Sequence, residues 1–212
     1  MDTALCLAWF EEAARLVHRD RDRLTALDAA IGDGDHGANL DRGLTEVGKA
    51  LAESPPGSPA ETLLTVGTTL IRRVGGASGP LYGSLFRQMG RTLGSPATLA
   101  AFASAFDEGV VAVERLGKAA LGDKTMIDAL VPASRALSLA VRDGVGVLQA
   151  VEQAARAAQE GAEATIPMQA RKGRASYLGE RSIGHMDPGA SSSALFMEAL
   201  AAVVRRAGAG AA

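Results

Sequence analysis

Apolar residues recur at spacings of three and four along almost the whole chain, the period of a helix with one buried face. Leu24, Leu27 and Ile31 close a first helix, and Leu40, Leu44, Val47 and Leu51 form the stripe of a second. Leu63, Val66, Leu70 and Val74 mark a third, and Leu81, Leu85 and Met89 a fourth. Leu99, Phe102, Phe106, Val110 and Val113 give the clearest stripe, on a fifth. Met126, Leu130, Ala133 and Leu137 line a sixth; Val147, Val151, Ala154 and Ala158 a seventh; Phe196, Leu200 and Val203 an eighth. Strand-like alternation is nearly absent. The pattern predicts an all-α chain of eight helices, with connections mostly short enough to force antiparallel neighbours. Ser54 to Pro59 cannot continue a helix, and Pro132 predicts either a kink inside the sixth helix or a later start.

Four Gly-rich, polar segments interrupt this pattern: Ile31 to Gly37 (IGDGDHG), Gly75 to Gly79 (GGASG), Gly117 to Lys124, and Arg171 to Gly189. Between each and the next sits an ordinary turn: Ser54 to Pro59, Arg91 to Pro96, Arg142 to Gly146. In an up-and-down arrangement every second connection lies at the same end. The four polar segments therefore meet at one end, and the three bland turns lie at the other.

The chemistry expected at the shared end begins with Asp28, Asp33 and Asp35. Carboxylates this close repel one another, and Asp28 also opposes the C-terminal dipole of its helix. A hard divalent cation removes the conflict, and glycines let the turn fold around it. The plainer reading is a turn in which one Asp caps the next helix. The later ligand positions and closing glutamate of an EF-hand are missing. His36, Gly37, Ala38 and Asn39 open the second helix, where free N–H groups suit an anion; packing is the alternative role for His36.

Gly75 to Pro80 reads as a helix–helix turn, with Ser78 able to cap and Pro80 suited to a first turn. It is not a Walker P-loop, since no Gly-Lys-Ser/Thr follows. Asp123 or Thr125 can cap the sixth helix. Lys124 can meet a phosphate or simply be solvated, and Met126 offers soft contact to a flat base. The stretch from Lys172 to Pro188 has no helical pattern, and a segment that long reads as an ordered binding loop. Its Arg171, Lys172, Arg174 and Arg181 bring positive charge beside the aspartates, an arrangement suited to phosphoryl transfer. Gly173, Gly179, Gly184 and Gly189 suggest that it is a lid. Ser191 and Ser192 then read as caps for the eighth helix.

Composition narrows the picture further. At 212 residues a single domain spanning 1–212 is expected, with a frayed tail from Ala207 to Ala212. Hydrophobic content of 47% with 4% aromatics, dominated by Ala and Leu, favours close-packed helices. A net charge of −2 gives no footprint for nucleic acid. Cys6 is the only cysteine, so neither an internal disulfide nor a thiolate metal cluster is expected. No run reaches the roughly 20 apolar residues of a membrane span, and the N-terminus lacks the look of a secretory signal. The expected location is cytoplasmic.

The motifs IGDGDHG (31–37), GGASGP (75–80), GDKTM (122–126) and QARKGRASYLGERSIGHMDPG (169–189) resemble the L-subunit family of dihydroxyacetone kinases. The resemblance covers nearly the whole chain, and its last motif is the most specific. It implies an eight-helix antiparallel up-and-down barrel with a nucleotide site at one end. It implies that Asp28, Asp33 and Asp35 hold Mg²⁺, and that His36, Gly37, Ala38, Asn39, Ala77 and Ser78 contact ADP or ATP. Gly117 and Met126 then lie at base and sugar, while Arg174, Asp187, Pro188 and Gly189 complete the pocket. Asp28, Asp33, Asp35 and Arg174 are the implied catalytic set.

The resemblance also implies partners. Dihydroxyacetone is held on a separate K subunit, and ADP is rephosphorylated in place by a phosphohistidine M subunit of the phosphotransferase system. Some members contact a transcriptional regulator. No residue of this chain has to be phosphorylated itself. Two alternatives stay open: the L module of an ATP-dependent kinase for another small ketose, related domains occurring in fatty acid kinases too, and a non-catalytic nucleotide or cation sensor. No nucleic acid and no membrane partner is expected.

Overall fold

Each apolar stripe becomes a helix in the computed structural model, which describes residues 1–210. The helices are α1 (Thr3–Ile31), α2 (His36–Glu53), α3 (Pro59–Arg73), α4 (Ser78–Thr92), α5 (Leu99–Gly117), α6 (Ile127–Arg142), α7 (Val147–Ala164) and α8 (Pro188–Ala209). A 3-10 segment, Arg174–Ser182, lies in the connection from α7 to α8. Side-chain caps set several starts: Asp2, Ser58, Thr98 and Asp187 each accept an N–H from the first turn that follows. Among the described residues there is no strand and no helix long and apolar enough to cross a membrane.

Each helix packs on its sequence neighbours, and α8 closes the ring against both α7 and α1. The result is an antiparallel up-and-down helical barrel. Trp9, Phe10, Tyr82, Phe86, Phe102, Phe106 and Phe196 fill its interior, so nearly all of the scarce aromatic content is spent on one core. Trp9 donates its indole N–H to the Phe196 carbonyl at 2.7 Å, tying α1 to α8. The predicted stripes are buried apart from the half-buried Leu27, Leu81 and Leu99 and one clear exception. Val147 is 50% exposed, because the inward face of α7 begins only at Ala150. Residues 207–209 of the expected tail belong to α8: Ala is the strongest helix former, and the helix runs on through Ala209. Residues 211–212 lie outside the described residues.

Pro132 sits inside α6 without delaying its start. Lacking an N–H, it leaves the Asp128 carbonyl without its helical donor. Gly161 of α7 packs against that carbonyl so closely that a Cβ there would lie 2.1 Å from it. Gly161→Ala is therefore expected to cost about 1–3 kcal/mol of stability. Urea unfolding checks this through its midpoint, and an unchanged midpoint would mean that the α6–α7 seam yields freely.

Candidate functional site at one end of the barrel

The connections α1–α2, α3–α4, α5–α6 and α7–α8 open onto one cavity of about 190 Å³. Its walls come from all four polar segments: Asp28 to His36, Gly76 to Tyr82, Lys124 to Met126, and Lys172 to Ala175 with Asp187 to Gly189. The three bland turns take no part in it. Parity in the chain has become a shared end in space.

Oxygens of Asp28, Asp33 and Asp35 lie within 4.8 Å of one another. Asp28 is buried, and its Oδ2 accepts the N–H groups of Asp35 at 2.9 Å and His36 at 3.1 Å. One carboxylate thus both faces the cluster and folds the turn that brings the other two to it. Gly32 makes this possible, because a Cβ there would lie 2.1 Å from Asp28 Oδ1. Gly34 takes a left-handed φ of 74° to complete the turn. Arg174 Nη2 pairs with Asp33 Oδ2 at 3.0 Å. Among the described residues no Lys or Arg pairs with Asp28 or Asp35. A compact set of hard oxygen donors with one matching side-chain cation fits a divalent metal such as Mg²⁺.

His36 is buried at the cavity floor. Its Nδ1 lies 2.9 Å from Ser78 Oγ and its Nε2 2.8 Å from Ser192 Oγ. Burial holds its pKa below the usual histidine value, against the pull of Asp28 and Asp35, so the ring is neutral near pH 7. Behind it, the Tyr82 hydroxyl meets Ser192 Oγ at 2.6 Å and Ser193 Oγ at 3.0 Å.

The long connection is built rather than loose. Ile31, Ala170, Ala175 and Leu178 form a small apolar cluster that seats it on the end of α1. Ser182 Oγ accepts the Ala170 N–H at 2.9 Å and donates to the Gly179 carbonyl at 2.6 Å. Lys124, with a left-handed φ of 62°, is 1% exposed. Its ammonium donates to the Thr165 carbonyl at 2.6 Å and to the His185 carbonyl. Burial lowers its pKa, opposed by Asp187 and Asp128. Asp187 caps α8 through the Ala190 N–H at 2.7 Å. Burial, with the charges of Asp128 and Asp28 adding, pushes its carboxyl up to about 7.

The cavity brings together Asp28, Asp33, Asp35, His36, Ala77, Ser78, Met126, Arg174, Asp187, Pro188 and Gly189. Gly117 lines an adjoining, mostly apolar hollow of about 270 Å³ that shares Ala77, Thr125, Met126, Lys172 and Gly173 with the first. Gly37, Ala38 and Asn39 do not line either. Gly37 is instead where α2 touches α1, for a Cβ there would lie 2.1 Å from the Arg21 carbonyl. Ala38 faces outward, and Asn39 Oδ1 accepts from Arg42 at 2.7 Å. The His36 N–H, expected to be free for an anion, is taken by Asp28.

Other expectations change in the same way. Lys124 is not solvated: it lines the cavity, but its ammonium is held by two backbone carbonyls. Ser191 and Ser192 are not the caps of α8; Asp187 is. Ser78 opens α4 without capping it, its hydroxyl facing His36. Asp128, unremarked in the sequence, organises the α5–α6 turn by accepting the N–H groups of Gly122 at 2.6 Å and Thr125 at 2.8 Å. Tyr82 also escaped notice, and Ser192 stood out only as a cap, not as a partner of His36 and Tyr82. Their signals were a tyrosine one helical turn after Ser78 and a triple serine opening an otherwise apolar helix.

The DAK2 domain family matches residues 30–202. The ADP-binding subunit DhaL of PEP-dependent dihydroxyacetone kinase 1 from Listeria innocua is 40% identical over 200 residues, covering 94% of this chain and 96% of that protein. The corresponding Escherichia coli DhaL subunit is 42% identical over 195 residues, covering 91% and 93% respectively. Among solved structures, the dihydroxyacetone kinase from C. freundii in complex with AMP-PNP and Mg²⁺ superposes with a TM-score of 0.73 at 30% identity. That match covers 94% of this chain and 34% of the kinase, so the chain spans about a third of the solved protein.

Proposed function

The chain belongs to the DAK2 domain family, and on that premise we propose that it is the nucleotide-holding, phosphoryl-transfer subunit of a PEP-dependent dihydroxyacetone kinase. It holds Mg–ADP or Mg–ATP at the four-loop end of the barrel. The phosphoryl group passes to dihydroxyacetone bound on a separate K subunit, and a phosphohistidine M subunit recharges the ADP in place. The observation that carries this reading is the convergence of three carboxylates, Arg174 and four helix-flanking turns on one cavity.

Asp28, Asp33 and Asp35 are the residues that would hold Mg²⁺. When bound, the cation supplies positive charge that offsets the phosphate oxygens. Everything else in the mechanism is positioning and charge. Ala77 and Ser78 wall the phosphate side beneath the start of α4. Arg174, reaching from the long connection to Asp33, offsets negative charge on the phosphoryl group in passage. Asp187, Pro188 and Gly189 line the pocket from the start of α8, and Arg174 and Ala175 of the 3-10 segment line it from the long connection. Met126 and Gly117 offer the apolar hollow that suits a base and its sugar. No side chain has to act as a nucleophile.

Reconstitution tests the proposal. The purified chain, charged with Mg–ATP, is mixed with a K subunit carrying dihydroxyacetone. About one equivalent of dihydroxyacetone phosphate per chain is expected in a single turnover, and repeated turnover once the phosphohistidine protein is added. No product with a K subunit that is active with an established L subunit would refute the assignment.

A further inference from the structure

Tyr82 is 1% exposed, on the inner face of α4 one turn after Ser78. Its hydroxyl sits 2.6 Å from Ser192 Oγ, 3.0 Å from Ser193 Oγ and 3.2 Å from the Gly189 carbonyl. Ser192 Oγ meets His36 Nε2 at 2.8 Å, and His36 Nδ1 meets Ser78 Oγ at 2.9 Å. Ser78 is half-buried and lines the cavity. A continuous chain Tyr82–Ser192–His36–Ser78 therefore runs from the barrel core to the cavity surface, crossing α4, α8 and α2.

Two proton orders satisfy this chain. In the inward order, Ser78 donates to Nδ1, Nε2–H donates to Ser192, and Ser192 donates to the Gly189 carbonyl at 3.1 Å. The cavity then faces only a lone pair. In the outward order, Tyr82 donates to Ser192, Ser192 to Nε2, and Nδ1–H to Ser78, whose own proton is left for the cavity. The phenol is the more acidic hydroxyl and its bond to Ser192 is the shortest in the chain, so it donates to Ser192; the orders then differ in where Ser192's own proton goes, and His36 Nε2 at 2.8 Å is the nearer acceptor than the Gly189 carbonyl at 3.1 Å. Each bond polarises the next in a dry interior, which carries the order to the surface. Ser193 supplies a donor to the phenol oxygen once that proton is committed.

We propose that Tyr82 and Ser192 are positioning residues that hold this chain in the outward order, making Ser78 a hydrogen-bond donor to a phosphate of the bound nucleotide. The inference rests on the nucleotide reading above. It assigns a task to Ser192, which does not line the cavity, and to Tyr82, which lines it but whose hydroxyl is engaged with Ser192, Ser193 and Gly189. It also gives a task to two of the three buried serines that open α8, Ser192 and Ser193.

The test compares Mg–ADP dissociation constants of the wild type, S78A, S192A, Y82F and the S78A/S192A double variant. S192A and Y82F remove a hydroxyl while leaving the packing volume nearly intact. Each single variant is expected to weaken Mg–ADP about tenfold. The double variant should be no weaker than S78A, because both changes act through one donor. In the wild-type complex, ¹⁵N shifts of the His36 ring should place the proton on Nδ1. Additive losses in the double variant, unchanged affinity in S192A, or a proton on Nε2 would each overturn the relay while leaving nucleotide binding intact. A wild type that binds no Mg–ADP would overturn the nucleotide reading, and the relay with it.

Discussion

Asp33→Asn is expected to weaken Mg–ADP binding by about 100-fold or more while leaving the fold as stable as before. The two halves of this result come from different features. Asp33 is the most separable member of the carboxylate cluster: its side chain is 40% exposed, and its partner Arg174 is more exposed still, at 69%. Exposed pairs of this kind contribute about 0–1 kcal/mol, so the thermal midpoint should move by no more than a few degrees. Removing an outer partner of a metal ligand already costs about 10–100-fold in affinity, and losing a charged ligand outright should cost at least the upper figure. Asp28 would give a muddier answer, since its Oδ2 also holds the Asp35 and His36 N–H groups. Calorimetric titration with Mg–ADP, beside a melting curve, reads both halves. Wild-type affinity in Asp33→Asn would remove Asp33 from the metal site.

Lys124→Met is expected to destabilise the protein by about 3 kcal/mol. The substitution keeps the apolar stem but leaves the Thr165 and His185 carbonyls without their ammonium donor. Hydrogen bonds to a charged group contribute about 1.5–3 kcal/mol each, and the desolvation that lowers the Lys124 pKa takes part of that back. Thr165 ends α7, so a cation there also meets the negative end of the helix dipole. Because Lys124 joins the α5–α6 turn to both ends of the long connection, nucleotide affinity should fall too. Urea unfolding gives the decisive comparison. A Lys124 that served a phosphate instead would lose affinity with an unmoved midpoint.

Lys124 also marks the limit of what was legible in the chain. Spacing alone located the helices, and parity alone assembled the cavity, because connection order in an antiparallel ring is topology rather than detail. The aspartate turn was legible for the same reason: three carboxylates within eight positions have few explanations. Which atoms inside a turn face the ligand was not legible. Gly37 directly follows the cavity residue His36 yet packs on Arg21, because one residue of helix rotates a position by about 100°. Lys124 looked equally suited to a phosphate or to solvent, because a charge in a Gly-rich turn normally lies outside. Its burial depends on Thr165 and His185, 41 and 61 positions away. Tyr82 and Ser192 were hidden likewise, since their partnership spans 110 positions and leaves no periodic trace.

The central claim is that this end of the barrel holds a resident Mg–ADP. The most direct measurement uses protein purified without added nucleotide, denatured and cleared of the chain, with the supernatant chromatographed for adenine nucleotides. Near-stoichiometric ADP is the predicted result, meaning a nucleotide recharged in place rather than exchanged. An empty protein that takes up no adenine nucleotide even with Mg²⁺ would contradict the account.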